Sequence, residues 1–218
     1  GDHRDLHRVD RRQRQMCIRD SPGHIFVYAP KINDIYGKLV TSKSFDLGGL
    51  DQVMEGEKRS GHFQGVATIV SHFLKIFNPT HAYFGEKDFQ QLRIIEHITQ
   101  SLELRTKIIG CPIIREKSGL AMSSRNSRLS TSERKLAAKI FEGLKFAKSN
   151  AKKESYRTLK KMVVDFFEKY DELDLEYFTI ADPKTLKEVD LKKTVDSGRG
   201  FIAVHLGKIR LIDNLDIP

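Results

Sequence analysis

Two short runs of this 218-residue sequence carry side chains suited to phosphate chemistry. The first is Gly85-Glu86-Lys87-Asp88, followed by Gln90 and Gln91. Glycine lets backbone approach a ligand closely, lysine can neutralise a phosphate, aspartate can accept from a ribose hydroxyl, and Gln91 lies about one helical turn further on. The second is Ser123-Ser124-Arg125-Asn126, reached through Arg115-Glu116-Lys117-Ser118-Gly119. Two hydroxyls beside a guanidinium can bind a triphosphate and the charge that builds as its α-phosphorus is attacked. Each run also has a plainer reading, as a glycine turn with Asp88 for an N-cap and as a hydrophilic loop before a helix. No GxGxxG or GxxxxGK[ST] accompanies them, so spacing leaves both readings open.

Other chemistries lack their residues. Cys17 and Cys111 are far apart and form no CxxC or Cys/His spacing, which argues against a disulfide framework or a structural zinc site. The eight histidines include no HExxH, so no metal site built by the protein is expected and any metal should arrive with a substrate. No Ser/His/Asp or Cys/His arrangement is evident.

The elements that must position the two runs follow from periodicity. The run 25–30, IFVYAP, reads as a buried-type strand closed by Pro30. Val66, Ile69, Val70, Phe73, Leu74 and Phe77 mark one face of a helix ended by Asn78-Pro79. A strand over 81–84, a helix carrying Phe89, Leu92, Ile95, Ile98 and Leu102, and a strand over 106–110 come next. Strand, helix, strand with short connections predicts a parallel sheet covered by helices, an α/β fold, and places the first run where a strand ends and a helix begins. Beyond Pro112 a polar loop runs to Asn126, and Ser130 with Glu133 forms a capping box. A helix with the stripe Leu136, Ala137, Ile140, Leu144 and Ala147 follows, then one from about residue 155 with Leu159, Val163, Phe166 and Tyr170. A strand alternating at Leu173, Leu175, Tyr177 and Thr179, and a hairpin around Gly207, complete an α+β unit. The expected organisation is a non-native or disordered segment over 1–22, a nucleotide-binding domain over 23–112 and a C-terminal lid domain over 113–218.

Composition narrows the partners. Hydrophobic residues are 39% and charged residues 31%, and no apolar run approaches the eighteen or so residues that cross a bilayer. A cytoplasmic protein without membrane contact is the expectation. The formal charge is +9, of which residues 1–21 contribute +2 through six arginines against four aspartates. The rest is spread along predicted helix faces at Lys135, Lys139, Lys145, Lys148, Lys152, Lys153, Lys160 and Lys161, as solvated faces would place it, with no aromatic-interleaved basic segment for stacking bases. No nucleic-acid partner is expected. The segment 1–21 is arginine-rich, lacks periodicity and breaks abruptly at Pro22-Gly23, so it reads as foreign to the rest of the chain.

The runs FGEKDFQQL at 84–92 and GLAMSSRNSRLS at 119–130 resemble the two central signatures of the pantothenate synthetase (pantoate–β-alanine ligase) family. FVYAP, MEGEKRSGHFQGVATIV and the closing IRLIDN at 209–214 support the resemblance, which runs from about residue 23 to the end. It implies a Rossmann-like domain of the class I aminoacyl-tRNA synthetase-like nucleotidyltransferase type, incomplete here, with a smaller C-terminal domain closing over ATP. It implies that pantoate attacks the α-phosphate of ATP, which brings Mg²⁺ on its phosphates, and that β-alanine then displaces AMP from pantoyl adenylate. By the same resemblance Gly85, Glu86, Lys87 and Asp88 touch ATP, with Lys87 on phosphate and Asp88 near the ribose. Gln91 holds pantoate, Ile114 packs on the adenine side, and Met122, Ser123, Ser124 and Arg125 form the counterpart of the synthetase KMSKS loop. Lys87, Ser123, Ser124 and Arg125 are the implied catalytic residues, and a homodimer is the implied assembly. For Arg59 and His62 a structural or interface role is favoured. The family's MGxLHxGH motif and the glutamine after it are not in these residues, and His24 does not fit the pattern. The chain as given is therefore expected to have negligible ligase activity. Two alternatives are a related adenylyl-transferring enzyme using another acid and a basic nucleic-acid-binding protein.

Overall fold

The structure, a computed structural model, describes residues 26, 28–30 and 44–217. The chain divides into two units, Gly1–Thr41 and Ser42–Pro218. In the first, residues 26 and 28–30 have no regular structure, against the strand expected over 25–30, and Ile25 and Val27 lie outside the described residues. β-Propensity is a preference of the segment and does not by itself make a strand. The expected segment 1–22 also lies outside the described residues.

The second unit opens with the short helix α1 (Met54–Lys58) and then α2 (His62–Phe77). Gly61, at φ 73°, sets the entry to α2. Asn78 ends it in the left-handed region, with its N–H donating to the Leu74 carbonyl, and Pro79 cannot continue the helix. Strand β1 (His81–Gly85), a 3₁₀ turn (Glu86–Asp88), helix α3 (Phe89–Ser101) and strand β2 (Lys107–Cys111) follow. β1 and β2 pair in parallel from His81↔Lys107 to Gly85↔Cys111, with α3 as the crossover, so the α/β reading of this part holds.

The C-terminal part contains a 3₁₀ turn (Ser124–Arg128), α4 (Thr131–Ala137), α5 (Lys139–Asn150), α6 (Tyr156–Phe167), β3 (Leu173–Ala181), β4 (Gly198–Leu206) and β5 (Ile209–Ile217). The three strands form an antiparallel sheet in the order β3-β4-β5. The capping box is present: Ser130 Oγ accepts from the Glu133 N–H while Glu133 accepts from the Ser130 N–H. What the sequence presents as one stripe from Leu136 to Ala147 is two helices, because a turn at Ala138 interrupts it. The even alternation expected along β3 is also broken. A bulge between Leu175 and Tyr177 shifts the register, so Phe178 and Ile180 face the core while Tyr177 turns to the other face.

Two apolar clusters hold the unit together. One packs α5 and α6 against the antiparallel sheet through Ile140, Leu144, Leu159, Val163, Ile180 and Ile202. The other joins Leu47, Met54, Phe63, Ala67, Ile94 and Ile98 to Ala181, Leu186 and Phe201. Residues from both sides of Pro112 thus share the second cluster, and truncating one such buried side chain to alanine typically costs about 2–5 kcal/mol.

Candidate nucleotide site

Gly85 ends β1, and the 3₁₀ turn after it leads directly into α3, the carboxyl-end position at which open parallel sheets offer N–H groups to ligands. Strand β5 fixes this turn. Asn214, 2% exposed, donates from Nδ2 to the carbonyls of Glu86 and Lys87, both at 2.9 Å. Arg199 in turn donates to Asn214 Oδ1 at 2.8 Å, lies 4.0 Å over the Phe89 ring and pairs with Glu86 and Asp216. The carboxylate of Glu86 is thereby committed to Arg199, while Lys87 Nζ and the Asp88 carboxylate, 3.7 Å apart, face a cleft.

The opposite wall is the loop into the second 3₁₀ turn. Arg115 grips Asp213 through two hydrogen bonds of 2.5 and 3.0 Å, donates to the Gly119 carbonyl at 3.1 Å and lies 3.8 Å over the Phe141 ring. Burial pushes the Asp213 carboxyl above the usual aspartate range, with Arg115 opposing it. Asn126, also buried, donates to Glu116 Oε1 and to the Ala121 carbonyl at 2.9 and 3.0 Å. Ser123 accepts the Arg125 N–H at 3.2 Å. The Arg125 guanidinium donates to the Arg210 carbonyl at 2.7 Å, and burial first, then the charges of Arg59 and Arg210, lower its pKa.

Helix α1 supplies the third wall. Both oxygens of Glu55 accept from Arg210, at 2.7 and 2.8 Å, and Tyr177 donates to Glu55 at 2.9 Å. Arg210 Nε donates to Glu176 at 2.6 Å, so the bulged pair Glu176-Tyr177 places a carboxylate on Arg210 and a hydroxyl on its partner Glu55. Burial alone would raise the Glu55 carboxyl. The Arg210 fork and the Tyr177 hydroxyl outweigh it and hold the group below the usual glutamate range.

These walls enclose about 170 Å³, lined by Glu55, Arg59, Lys87, Asp88, Ser123 and Arg125 among others. A smaller lobe of about 30 Å³ adjoins it, where Arg59, Lys87 and Asp88 meet His62, Gln91 and Tyr177. The structure thus brings together Lys87, Asp88, Gln91, Ser123 and Arg125. Gly85, Glu86, Ile114, Met122 and Ser124 do not line either lobe. Ile114 and Met122 stand side by side, 66% and 55% exposed, joined by the Met122 N–H to the Ile114 carbonyl, and Ser124 is exposed at the start of its turn. The polar partners Glu55, Tyr177, Arg210, Asp213 and Asn214 went unassigned at the sequence level. The signal for Glu55, Arg210, Asp213 and Asn214 lay in MEGEKRSGH and IRLIDN, stretches whose Glu55 and Arg210 stand 155 positions apart and whose meeting no periodicity announces, while Tyr177 lies in neither.

The model of the pantoate-beta-alanine ligase family matches residues 1–216. The chain belongs to the pantoate–β-alanine ligase family. Its match begins at residue 1 and so includes the segment that composition sets apart. The pantothenate synthetase of Flavobacterium psychrophilum is 48% identical over 193 residues, covering 88% of this chain and 68% of that protein. That of Phocaeicola vulgatus is 43% identical over 221 residues, covering 99% and 77%. Among solved structures, the pantothenate synthetase of Thermus thermophilus superposes with a TM-score of 0.85 at 32% identity, over 94% of this chain and 74% of that one. A Francisella tularensis pantoate–β-alanine ligase, complexed with β-γ ATP and β-alanine, gives 0.62 at 30% identity over 84% and 61%. The family's fold, a parallel sheet with helices joined to an antiparallel C-terminal part, is the fold found here.

Proposed function

We propose that the chain serves the ATP-dependent condensation of pantoate with β-alanine, giving pantothenate, AMP and pyrophosphate through a pantoyl adenylate. The observation that carries this reading is the meeting of Lys87 and Asp88 with Ser123 and Arg125 across one cleft in a member of this family. Lys87 and Arg125 are placed to neutralise ATP phosphates and the charge that grows at the α-phosphorus, Ser123 and Ser124 offer hydroxyl donors from the same loop, and Asp88 is suited to a ribose hydroxyl. Gly85 and Glu86 shape the turn below ATP, Ile114 and Met122 offer apolar surface to the base, and Gln91 holds pantoate in the smaller lobe. Mg²⁺ enters on the phosphates, where it supplies further charge neutralisation. The proposed assembly is a homodimer, in the cytoplasm, without nucleic-acid or membrane partners. Among the described residues no helix is long and apolar enough to cross a membrane.

Calorimetric titration with Mg-ATP in the presence of pantoate tests the reading. Saturable ATP binding is expected, weakened at least tenfold by Lys87→Ala, a loss consistent with about 1.4 kcal/mol or more for one charged contact. Absence of ATP binding, or binding indifferent to Lys87, would overturn it.

A further inference from the structure

Four of the five arginines that surround the site have a partner for their charge or a fixed carbonyl to hold. Arg210 forks onto Glu55, Arg115 onto Asp213, Arg199 pairs with Asp216, and Arg125 donates to the Arg210 carbonyl. Arg59 differs. Among the described residues its guanidinium contacts His62 alone, Nη1 to Nε2 at 3.0 Å, and it lines both lobes of the cleft. His62 is held below its ordinary pKa by burial and then by the charge of Arg59, so in the neutral range its ring accepts from Arg59 and orients it without cancelling its charge.

We infer that Arg59, oriented by His62, binds the carboxylate of β-alanine and selects an amine donor that carries an acid. The assignment rests on the proposed function and adds a residue to it. In the second half of that reaction the neutral amine nitrogen attacks the acyl carbon of pantoyl adenylate. The C–N bond forms, the C–O bond to the phosphate breaks with its electron pair leaving on AMP, and the surplus nitrogen proton passes to water. The attacked carbon lies between the phosphate side, with Lys87, Ser123 and Arg125, and the pantoate side, with Gln91. A donor must reach that junction with its amine while its carboxylate is held nearby, and Arg59 is the cationic fork at the junction that no carboxylate of the described residues occupies. A planar guanidinium matches a carboxylate bidentately, which a lysine cannot do.

The test is ligand-detected NMR titration of the full 218-residue chain, with Mg-ATP and pantoate present, using β-alanine and n-propylamine as probes. Arg59 is exposed, so its replacement should leave the fold intact. Arg59→Ala is expected to weaken β-alanine binding at least tenfold, leave ATP affinity within about twofold and not change the response to n-propylamine, with Arg59→Lys recovering only part of the loss. Unchanged β-alanine affinity in Arg59→Ala would overturn the assignment. So would β-alanine and ATP weakening together, which would place Arg59 on phosphate. If the unaltered chain binds ATP but not β-alanine, the inference fails while the proposed function stands; if it binds neither, the proposed function fails first.

Discussion

Glu55, which lines both lobes of the cleft, shows how a single buried carboxylate can organise the side chains around it. It is 8% exposed, and its two oxygens take three hydrogen bonds, two from Arg210 and one from Tyr177. Removing one partner of such a pair leaves the other charge desolvated, at a cost of about 3–5 kcal/mol. Glu55→Gln keeps the shape but not the charge, and is expected to lose about 3 kcal/mol in urea unfolding at neutral pH. The sign of the pH dependence follows from the lowered carboxyl. Because the folded-state pKa lies below the ordinary 4.5, the contribution is complete above about 4.5 and fades as pH falls through the folded value. The gap between wild type and Glu55→Gln should therefore close on acidification below that range. A gap that stays constant down to about pH 3 would remove the charge from the explanation. None of this was legible in the sequence, where Glu55 is one acid of a mixed-charge helix start and its partners lie 122 and 155 positions away. Lys87, Asp88, Ser123 and Arg125 were legible as residue types, because phosphate chemistry draws on a small set of groups. Their convergence on one cleft followed from the family resemblance and not from their spacing.

At the scale of elements, the helices were read well where burial on one face imposes a period. α3 and α6 pack on the apolar stripes read for them, and the capping box stands where Ser130 and Glu133 put it. α2, by contrast, buries Phe63, Ala67, Thr68, Ser71 and Leu74, so that of the face read for it Leu74 alone is buried and Phe77 is 51% exposed. Departures arise where tertiary contacts override a local pattern. The β3 bulge gives no signal in Leu-Glu-Tyr-Phe, yet it sends Tyr177 to Glu55 and Phe178 to the core. The loop before the second 3₁₀ turn depends on a glycine for a similar long-range reason. Gly119 sits at φ +92°, and a Cβ there would come within 2.7 Å of the Phe141 ring, the same ring that Arg115 covers. Gly119→Ala should cost about 1–3 kcal/mol from backbone conformation and crowding, measured by thermal unfolding. It should also weaken ATP binding, because the displaced loop carries Ser123 and Arg125. A variant as stable as wild type would show that the turn can adopt another path.

At the scale of the molecule, charge and apolar packing are organised separately. The lysines expected on solvated faces are for the most part exposed, as at Lys135, Lys145, Lys148 and Lys161, and the half-buried Lys139 and Lys160 pair with Glu142 and Glu188. The apolar interior does not follow the order of the chain. Ala181, Leu186 and Phe201 complete the cluster built on α2 and α3, and Phe201 lies 5.9 Å from Phe89, at the first residue of α3, as it lines the smaller lobe. Packing shared in this way should make the parallel and antiparallel parts open together. Native-state hydrogen exchange is expected to give the most protected amides of α3 and of α6 the same opening free energy, since both report one cooperative unit. Mg-ATP should then raise both by the same amount, about 2.7 kcal/mol at a hundred times its Kd, because a ligand that contacts Lys87 on one part and Arg125 on the other binds only when the two are folded together. A rise confined to α3 would mean that the nucleotide is held by the parallel sheet alone and that the Ser123–Arg125 loop closes on it without sharing its stability.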